Sequence, residues 1–337
     1  MAMAVTAVPE TMDAAWIVER GPAEAIRYGR LPVPRPGPTD VLVRVEAAAV
    51  NPVDLFVRSG RYDTPLPFPF IVGRDVVGTV AECGPGVAGF AVGERVWSNS
   101  LGHGGRQGPS AELAVVPVDR LYHLPDAVDP LAAVAVAHPA ASAYLALVSH
   151  GGIRGGETVL VAGGAGHVGR AAITIGVHAG ARVLVTAAAA DLDECRHLGA
   201  EAAYDYRDPD LAGTLRDAAG GQVDVHLDTS GHHDFDLVTD LMAHRGRIVV
   251  MAGMGARPQV PIGRIYTRDL TVMGFAISTA TTAELIDAAA RVNQLLVVGA
   301  LVPRGVEQLP LSAAAEAHRR LEAGEGRGVR LVLTPGD

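Results

Sequence analysis

Apolar and polar positions alternate in part along Val41-Leu-Val-Arg-Val-Glu46, the pattern of a half-buried strand. Ile71-Val72, Val76 to Ala81 and Val92 to Trp97 are further short runs rich in β-branched residues. Pro34-Arg-Pro-Gly-Pro38, Cys83-Gly-Pro-Gly86 and Gly102 to Gly108 punctuate them. Short strands broken by such turns predict a compact, barrel-like first lobe. The rhythm changes after Pro125. From Glu157 to Phe275, apolar strands alternate with helical segments: Thr158 to Ala162, a helix over Gly166 to Ala179, Arg182 to Thr186, and a helix from about Asp191 to Leu198. Val223 to Asp228, Arg247 to Met251 and Leu270 to Phe275 complete the series. Strand–helix–strand repetition predicts an α/β doubly wound parallel sheet. Beyond Thr281 the pattern predicts a long helix, a strand near Leu301 to Val306, a helix over Ser312 to Glu322 and a last strand, Val329 to Leu333. The middle of the chain is therefore read as one domain, with the tail completing the first lobe.

Composition agrees with large cores. Of 337 residues, 49% are apolar and 19% charged, which rules out a disordered chain. A formal net charge of −9 without a basic run argues against a nucleic-acid surface. The two cysteines, Cys83 and Cys195, are too few for a disulfide scaffold and point to the cytoplasm. Met1 to Glu10 lacks a basic start and a long apolar core, so no signal peptide is expected. The apolar stretch from Leu131 is expected to break at His138-Pro139, short of a membrane span.

One motif changes the picture. Gly163-Gly164-Ala165-Gly166-His167-Val168-Gly169 follows a predicted strand and opens a predicted helix. It contains G-x-G-x-x-G in its required context: Gly164 for the tight turn, Gly166 for close approach to a pyrophosphate, and Gly169 for helix–strand packing. The helix N-terminus offers its free N–H groups to phosphate. NAD-binding chains usually end the second strand with an acid for the ribose 2′-hydroxyl. Here Thr186 leads into four alanines, Ala187 to Ala190, which leaves room for a 2′-phosphate and favours NADPH, with NADH the alternative. Arg207 is a candidate phosphate ligand or a solvated surface side chain. Asp191 reads as a helix cap.

The order and spacing of short motifs resemble the medium-chain dehydrogenase/reductase superfamily, and most closely its quinone oxidoreductase (zeta-crystallin-like) branch. The motifs are Asn51-Pro-Val-Asp54, Arg58-Ser-Gly-Arg-Tyr62, Gly73-Arg-Asp-Val-Val-Gly78, Val92-Gly-Glu-Arg-Val96, Ala141-Ser-Ala-Tyr144, the glycine loop, Ala315-Glu-Ala-His318 and Gly326-Arg-Gly-Val329. The resemblance covers nearly the whole chain. It implies a GroES-like β-barrel catalytic domain (residues 1–127 completed by 276–337) and a Rossmann dinucleotide domain (128–275), with the active site in the cleft. It also implies a homodimer pairing near Leu270 to Phe275. Tyr206 matches the family's tyrosine near the adenosine ribose phosphate. Three positions depart from the pattern: Asp191 stands where NADP-dependent members commonly carry lysine, Phe56 where a tyrosine is frequent, and His167 where many relatives have glycine.

The zinc alcohol dehydrogenases of this superfamily hold catalytic zinc with a cysteine, a His-Glu pair and a second Cys or His. The matching positions here are Asp54 and Gly73-Arg74-Asp75, so no metal is expected. His103, His232 and His233 are the remaining candidate ligands, and solvated loop histidines are the simpler reading. Without a Lewis acid, hydride transfer suits a small-molecule acceptor already conjugated, a quinone or an α,β-unsaturated carbonyl. Tyr62 is the candidate proton donor or oxygen-holding hydroxyl; similarity to enoyl reductases puts a tyrosine at the same offset. Asn51 reads as an amide donor to nicotinamide or substrate, or as a turn cap before Pro52. Ser142 reads as a hydrogen-bonding group near the nicotinamide or as a helix-start serine. An enoyl reductase acting on a biosynthetic or acyl-thioester substrate is the close rival, although no basic cluster for a thioester carrier stands out. A low-turnover dinucleotide-binding structural or sensory protein is the reading from another class.

Overall fold

The computed structural model describes residues 8–220 and 222–336. The elements in chain order are β1 (Thr11–Ile17), β2 (Arg27–Pro32), β3 (Asp40–Ala49), α1 (Pro52–Ser59), β4 (Phe70–Ile71), β5 (Asp75–Cys83), β6 (Arg95–Ser98), β7 (Leu113–Pro117), β8 (Tyr122–His123) and α2 (Pro130–Tyr144). There follow β9 (Thr158–Ala162), α3 (His167–His178), β10 (Arg182–Ala187), α4 (Leu192–His197), β11 (Ala202–Asp205), α5 (Leu211–Ala219), β12 (Val223–Asp228), α6 (Phe235–Leu241), β13 (Met242–Val250), α7 (Ile262–Thr267) and β14 (Thr271–Gly274). The chain closes with α8 (Thr282–Val297), β15 (Val306–Pro310), α9 (Ala314–Glu322) and β16 (Arg330–Thr334). It divides into two compact units: residues up to His138 together with those from Leu285 on, and Pro139–Glu284.

The first unit is mainly antiparallel. Its larger sheet runs β15-β16-β3-β5-β6-β8 with β7 also paired to β3, and a smaller sheet runs β2-β1-β4. Strand β3 explains why alternation in its sequence is only partial. Val41, Val43 and Val45 enter a core with Val76, Val96 and Leu121, while Leu42 on the opposite face enters a second core with Met12, Ile71 and Leu113. A strand buried on both faces has little use for polar positions.

The second unit is a six-stranded sheet in the order β11-β10-β9-β12-β13-β14, with every neighbouring pair parallel. Its inner strands β9, β10 and β12 are almost wholly buried, the continuous apolar runs that parallel strands require. The chain reverses its direction of travel across the sheet between β9 and β12. In such sheets the crevice at the carboxyl ends beside that reversal is where ligands bind.

The structure corrects three expectations. His138-Pro139 does not end the apolar helix. Pro139 lies inside α2, which continues as a π-helical segment, Leu145–His150. A proline withdraws one N–H and strains one turn, but surrounding packing can carry that. The helix Pro130–His150 is thus long and apolar enough to cross a membrane, yet 78% of its most apolar 18-residue stretch is buried within the protein, as a core helix is. The late strand near Leu301 lies instead at Val306–Pro310, because Val302 is 58% exposed and the apolar run there is a loop. Strands β1, β2 and β7 and helix α1 add to the elements read from the pattern.

Candidate active site

In the first unit a buried polar network forms where α1, β5, β16 and α2 present their ends. Asn51, just before α1, donates its backbone N–H to Asp54 Oδ2 at 2.8 Å, which caps the helix and fixes both residues. Its side-chain Nδ2 donates to Asp75 Oδ2 at 2.8 Å, and its Oδ1 accepts from Arg330 Nη2 at 2.7 Å. Asn51 is 1% exposed, so its amide serves protein partners. Asn51 thus forms the cap before Pro52, and its side-chain amide is engaged by Asp75 and Arg330.

Asp75 accepts on both oxygens, since Oδ1 faces His138 Nδ1 at 3.1 Å. Arg74, Asp75 and Arg330 are all at most 3% exposed. Burial pushes the Asp54 carboxyl up to about 6, with Arg74 opposing and Asp75 reinforcing the shift. Sequence reasoning saw His138 only as a helix breaker. The signal available was a lone imidazole in the otherwise apolar run Leu131 to Ala141.

Tyr62 lies beyond α1, after Gly60 takes the left-handed conformation (φ 80°) that turns the chain. Tyr62 is half-buried, its ring stacked on His103 with centroids 5.7 Å apart. Burial, together with Arg74, Arg106 and Arg120, pushes His103 down to about 4, so its ring stays neutral. Three arginines far apart in sequence therefore share one electrostatic neighbourhood, a cluster that the linear pattern hid. Phe56 carries the Arg61 guanidinium over its ring at 4.8 Å.

In the second unit the glycine loop joins β9 to α3. Gly163 adopts φ 82°, and the N–H groups of Gly163 and Gly164 both donate to Thr186 O at 3.0 Å. A Cβ on Gly164 would fall 2.0 Å from Val185 Cγ1, and one on Gly169 would fall 2.2 Å from Gly163 O. Those two glycines are needed by the protein itself. A Cβ on Gly166 meets only Gly163 O, at 3.3 Å, and Gly166 is the exposed N-cap of α3. That opening in front of the helix N-terminus fits a pyrophosphate. Ala165, His167 and Val168 surround it and are all half-buried.

Thr186, next to last in β10, is buried, while Tyr206 and Arg207 follow β11 and are exposed, with the Arg207 guanidinium 5.1 Å over the Tyr206 ring. Ser142 lies inside α2, 2% exposed, which removes the helix-start reading. Sequence reasoning missed Thr229, whose hydroxyl donates to Ala162 O at 2.8 Å and braces the loop. His233 has both ring nitrogens engaged, Nδ1 with Asp228 at 2.6 Å and Nε2 with Ala252 O at 3.1 Å. His232 beside it lies in an exposed turn.

Two family models match, the alcohol dehydrogenase GroES-like domain over residues 37–126 and the zinc-binding dehydrogenase over residues 168–291. A quinone oxidoreductase of Sus scrofa is 30% identical over 306 residues, covering 89% of this chain and 91% of the relative. The chain belongs to the medium-chain dehydrogenase/reductase superfamily, in its quinone oxidoreductase branch. It is an NAD(P)H-dependent oxidoreductase with a GroES-like domain and a Rossmann-type parallel sheet. An acryloyl-coenzyme A reductase of Sulfurisphaera tokodaii is also 30% identical, over 80% of this chain and 86% of the relative. A mycobacterial protein solved with NADPH superposes with a TM-score of 0.82 at 30% identity, over 96% of this chain and all of that one.

Zinc, which one matching model's description implies, does not suit the residues here. Among the described residues no group of three His, Cys, Asp or Glu side chains could hold a metal. At the positions matching the zinc ligands, the Asp75 carboxylate already accepts from Asn51 and faces His138 and Arg330, and Arg74 is itself a cation.

Proposed function

We propose that this oxidoreductase uses NADPH to reduce a small quinone or conjugated carbonyl compound without a metal. The observation that carries the reading is the Asn51–Asp75–His138–Arg330 network. It commits Asp75, one of the positions matching the zinc ligands, to protein partners, while Arg74 at the neighbouring position is itself a cation, so these residues do not suit a Lewis-acid metal for an unactivated ketone. A conjugated acceptor needs none, because its own π-system spreads the developing charge. The bound dinucleotide supplies the hydride. The backbone N–H groups around Gly163 to Gly169 hold its pyrophosphate, with Ser142 and Thr186 as further contacts. Tyr62 holds the substrate oxygen, and Asn51 keeps Asp75 in register. Tyr206 and Arg207 supply a ring and a charge for the 2′-phosphate, where the alanines after Thr186 present no acid to repel it. The name of the quinone oxidoreductase relative and the NADPH bound by the mycobacterial neighbour support the same assignment.

A second reading has its own observation. Arg106 and Arg120, both half-buried near His103, suit an acceptor with an anionic group, as an enoyl thioester carrier has. The acryloyl-coenzyme A reductase relative supports it. The working form is a cytoplasmic homodimer. Strand β14 bonds to β13 on one side only among the described residues, and Val260, Ile262, Tyr266 and Val272 nearby are 38–70% exposed.

The test follows nicotinamide absorbance with a chelator present. NADPH and NADH are each offered a simple quinone, a neutral enone and an enoyl thioester. Faster NADPH oxidation by the quinone or neutral enone supports the first reading, and preference for the thioester supports the second. Tight NADPH binding without oxidation by any acceptor would overturn both in favour of a low-turnover binding protein.

A further inference from the structure

Within the buried network, the Asp75–His138 pair has as yet no part in moving a proton. Asp75, the first residue of β5, is fully buried, and its Oδ2 is held by the Asn51 amide. Its Oδ1 lies 3.1 Å from His138 Nδ1. A carboxylate accepts, so Nδ1 carries a proton and donates it to Asp75, which fixes the ring's tautomer and its orientation. The side chain of His138 retains 10% exposure against 0% for Asp75, so the exposed part of the ring is the edge away from the carboxylate, the edge bearing Nε2. An imidazole held from behind by a buried carboxylate, with its second nitrogen facing out, is built to hand over a proton.

We propose that His138 is the proton donor of the reduction, with Asp75 as its positioning residue. The assignment rests on the reduction of a conjugated acceptor argued above. The hydride from the dinucleotide forms a C–H bond at the β-carbon of the acceptor, and the C=C electron pair moves toward the carbonyl, leaving an enolate oxygen held by Tyr62. The Nε2 proton of the imidazolium then passes to the enolate. This leaves the saturated carbonyl compound, the oxidised dinucleotide and a neutral His138 still donating Nδ1–H to Asp75. Solvent returns one proton to Nε2. A quinone takes the hydride and then the Nε2 proton in the same way, and leaves as the neutral hydroquinone. Proton transfer of this kind contributes about 10²- to 10⁴-fold in rate.

Asp75 faces the ring directly and Asp54 interacts with it through space. Arg330 lies 3.9 Å from Asp75, and Arg74 interacts with both carboxylates.

His138→Gln removes the donor and keeps a polar side chain of similar length. The proposal expects kcat with an enone to fall about 100-fold or more at neutral pH, with NADPH affinity unchanged. The alkaline fall of kcat with pH should disappear, and the solvent deuterium effect on turnover should change. A merely structural His–Asp pair would instead lower thermal stability and leave the pH profile of the surviving activity intact, which overturns the proposal. A second measurement is independent of turnover. Long-range ¹⁵N–¹H spectra, with His138 assigned by its loss in the variant, should show Nδ1 protonated throughout and Nε2 gaining and losing a proton with pH. A ring whose Nε2 never exchanges its proton state while the protein stays folded would also overturn it. Wild-type protein inactive toward every conjugated acceptor would refute the reduction reading itself, whereas active wild type with an unaffected variant refutes only the assignment to His138.

Discussion

Two alanine substitutions in one loop should part company. A Cβ on Gly169 would lie 2.2 Å from Gly163 O and 2.7 Å from Gly164 Cα, far inside contact distance with backbone that has nowhere to go. Overpacking of this kind costs about 1–3 kcal/mol. Replacing a helical glycine by alanine returns about 1 kcal/mol of helix propensity, which offsets only part of it. Backbone contacts this short put the cost at the upper end, so Gly169→Ala is expected to lower stability by a net of about 2 kcal/mol. Gly166 is different. Its φ of −70° is ordinary for any residue, and its Cβ would meet only Gly163 O at 3.3 Å. Alanine is a poorer N-cap than glycine, which costs about 0.5–1 kcal/mol of stability. Yet the methyl would stand where the pyrophosphate must approach the helix N–H groups. Loss of one hydrogen bond to a charged group costs about 1.5–3 kcal/mol, roughly 10- to 150-fold in Kd. Thermal unfolding by circular dichroism and NADPH titration by fluorescence read the two effects separately. Gly166→Ala binding NADPH like the wild type would refute the loop as a phosphate cradle. Gly166→Ala melting below Gly169→Ala would refute the packing argument.

Tyr62→Phe should lower kcat about tenfold or more while leaving NADPH affinity unchanged, as loss of an oxygen-holding hydroxyl does; unchanged turnover in a steady-state assay would reduce Tyr62 to a wall residue. Asp54 gives a pH signature. Its carboxyl is raised from 3.8 to about 6 in the folded protein, so the folded state binds its proton more tightly than the unfolded state does. The associated stability is full below the ordinary carboxylate range and lost as pH rises through about 6, a total on the order of 3 kcal/mol. Asp54→Asn removes that slope, so urea unfolding should show the variant gaining on the wild type between pH 4 and 7; a constant difference would contradict it. If the proposed dimer pairs along β14, Val272→Lys puts a charge on that edge and should halve the sedimenting mass without loss of fold, whereas an unchanged mass would contradict pairing there.

The nucleotide domain was legible because its physics is local. Strands buried on both faces read as continuous apolar runs, and the glycines are forced by contacts with Val185 and Gly163 a short distance away in sequence. The first unit was harder. Strands β1 and β2 carry Asp13, Tyr28 and Arg30 among small residues, and their pairing is set by partners across the sheet rather than by their own periodicity. The polar network was beyond reach for the same reason: Asn51, Asp75, His138 and Arg330 span 279 residues, and no local spacing announces that Arg330 meets Asn51. The motif around Asn51 drew attention to the right amide, but only the fold showed that it faces inward. Pro139 misled because a proline's local preference was weighed without the packing that holds α2 together.

The most direct test of the account offers the protein NADPH deuterated at C4, together with a simple enone, after exhaustive dialysis against a chelator. Mass spectrometry of the saturated product then follows the label. The account predicts one deuterium per molecule at the β-carbon, with solvent hydrogen at the α-carbon. NADPH oxidation that leaves no deuterium in the product, or activity that vanishes on dialysis and returns with zinc, would contradict it.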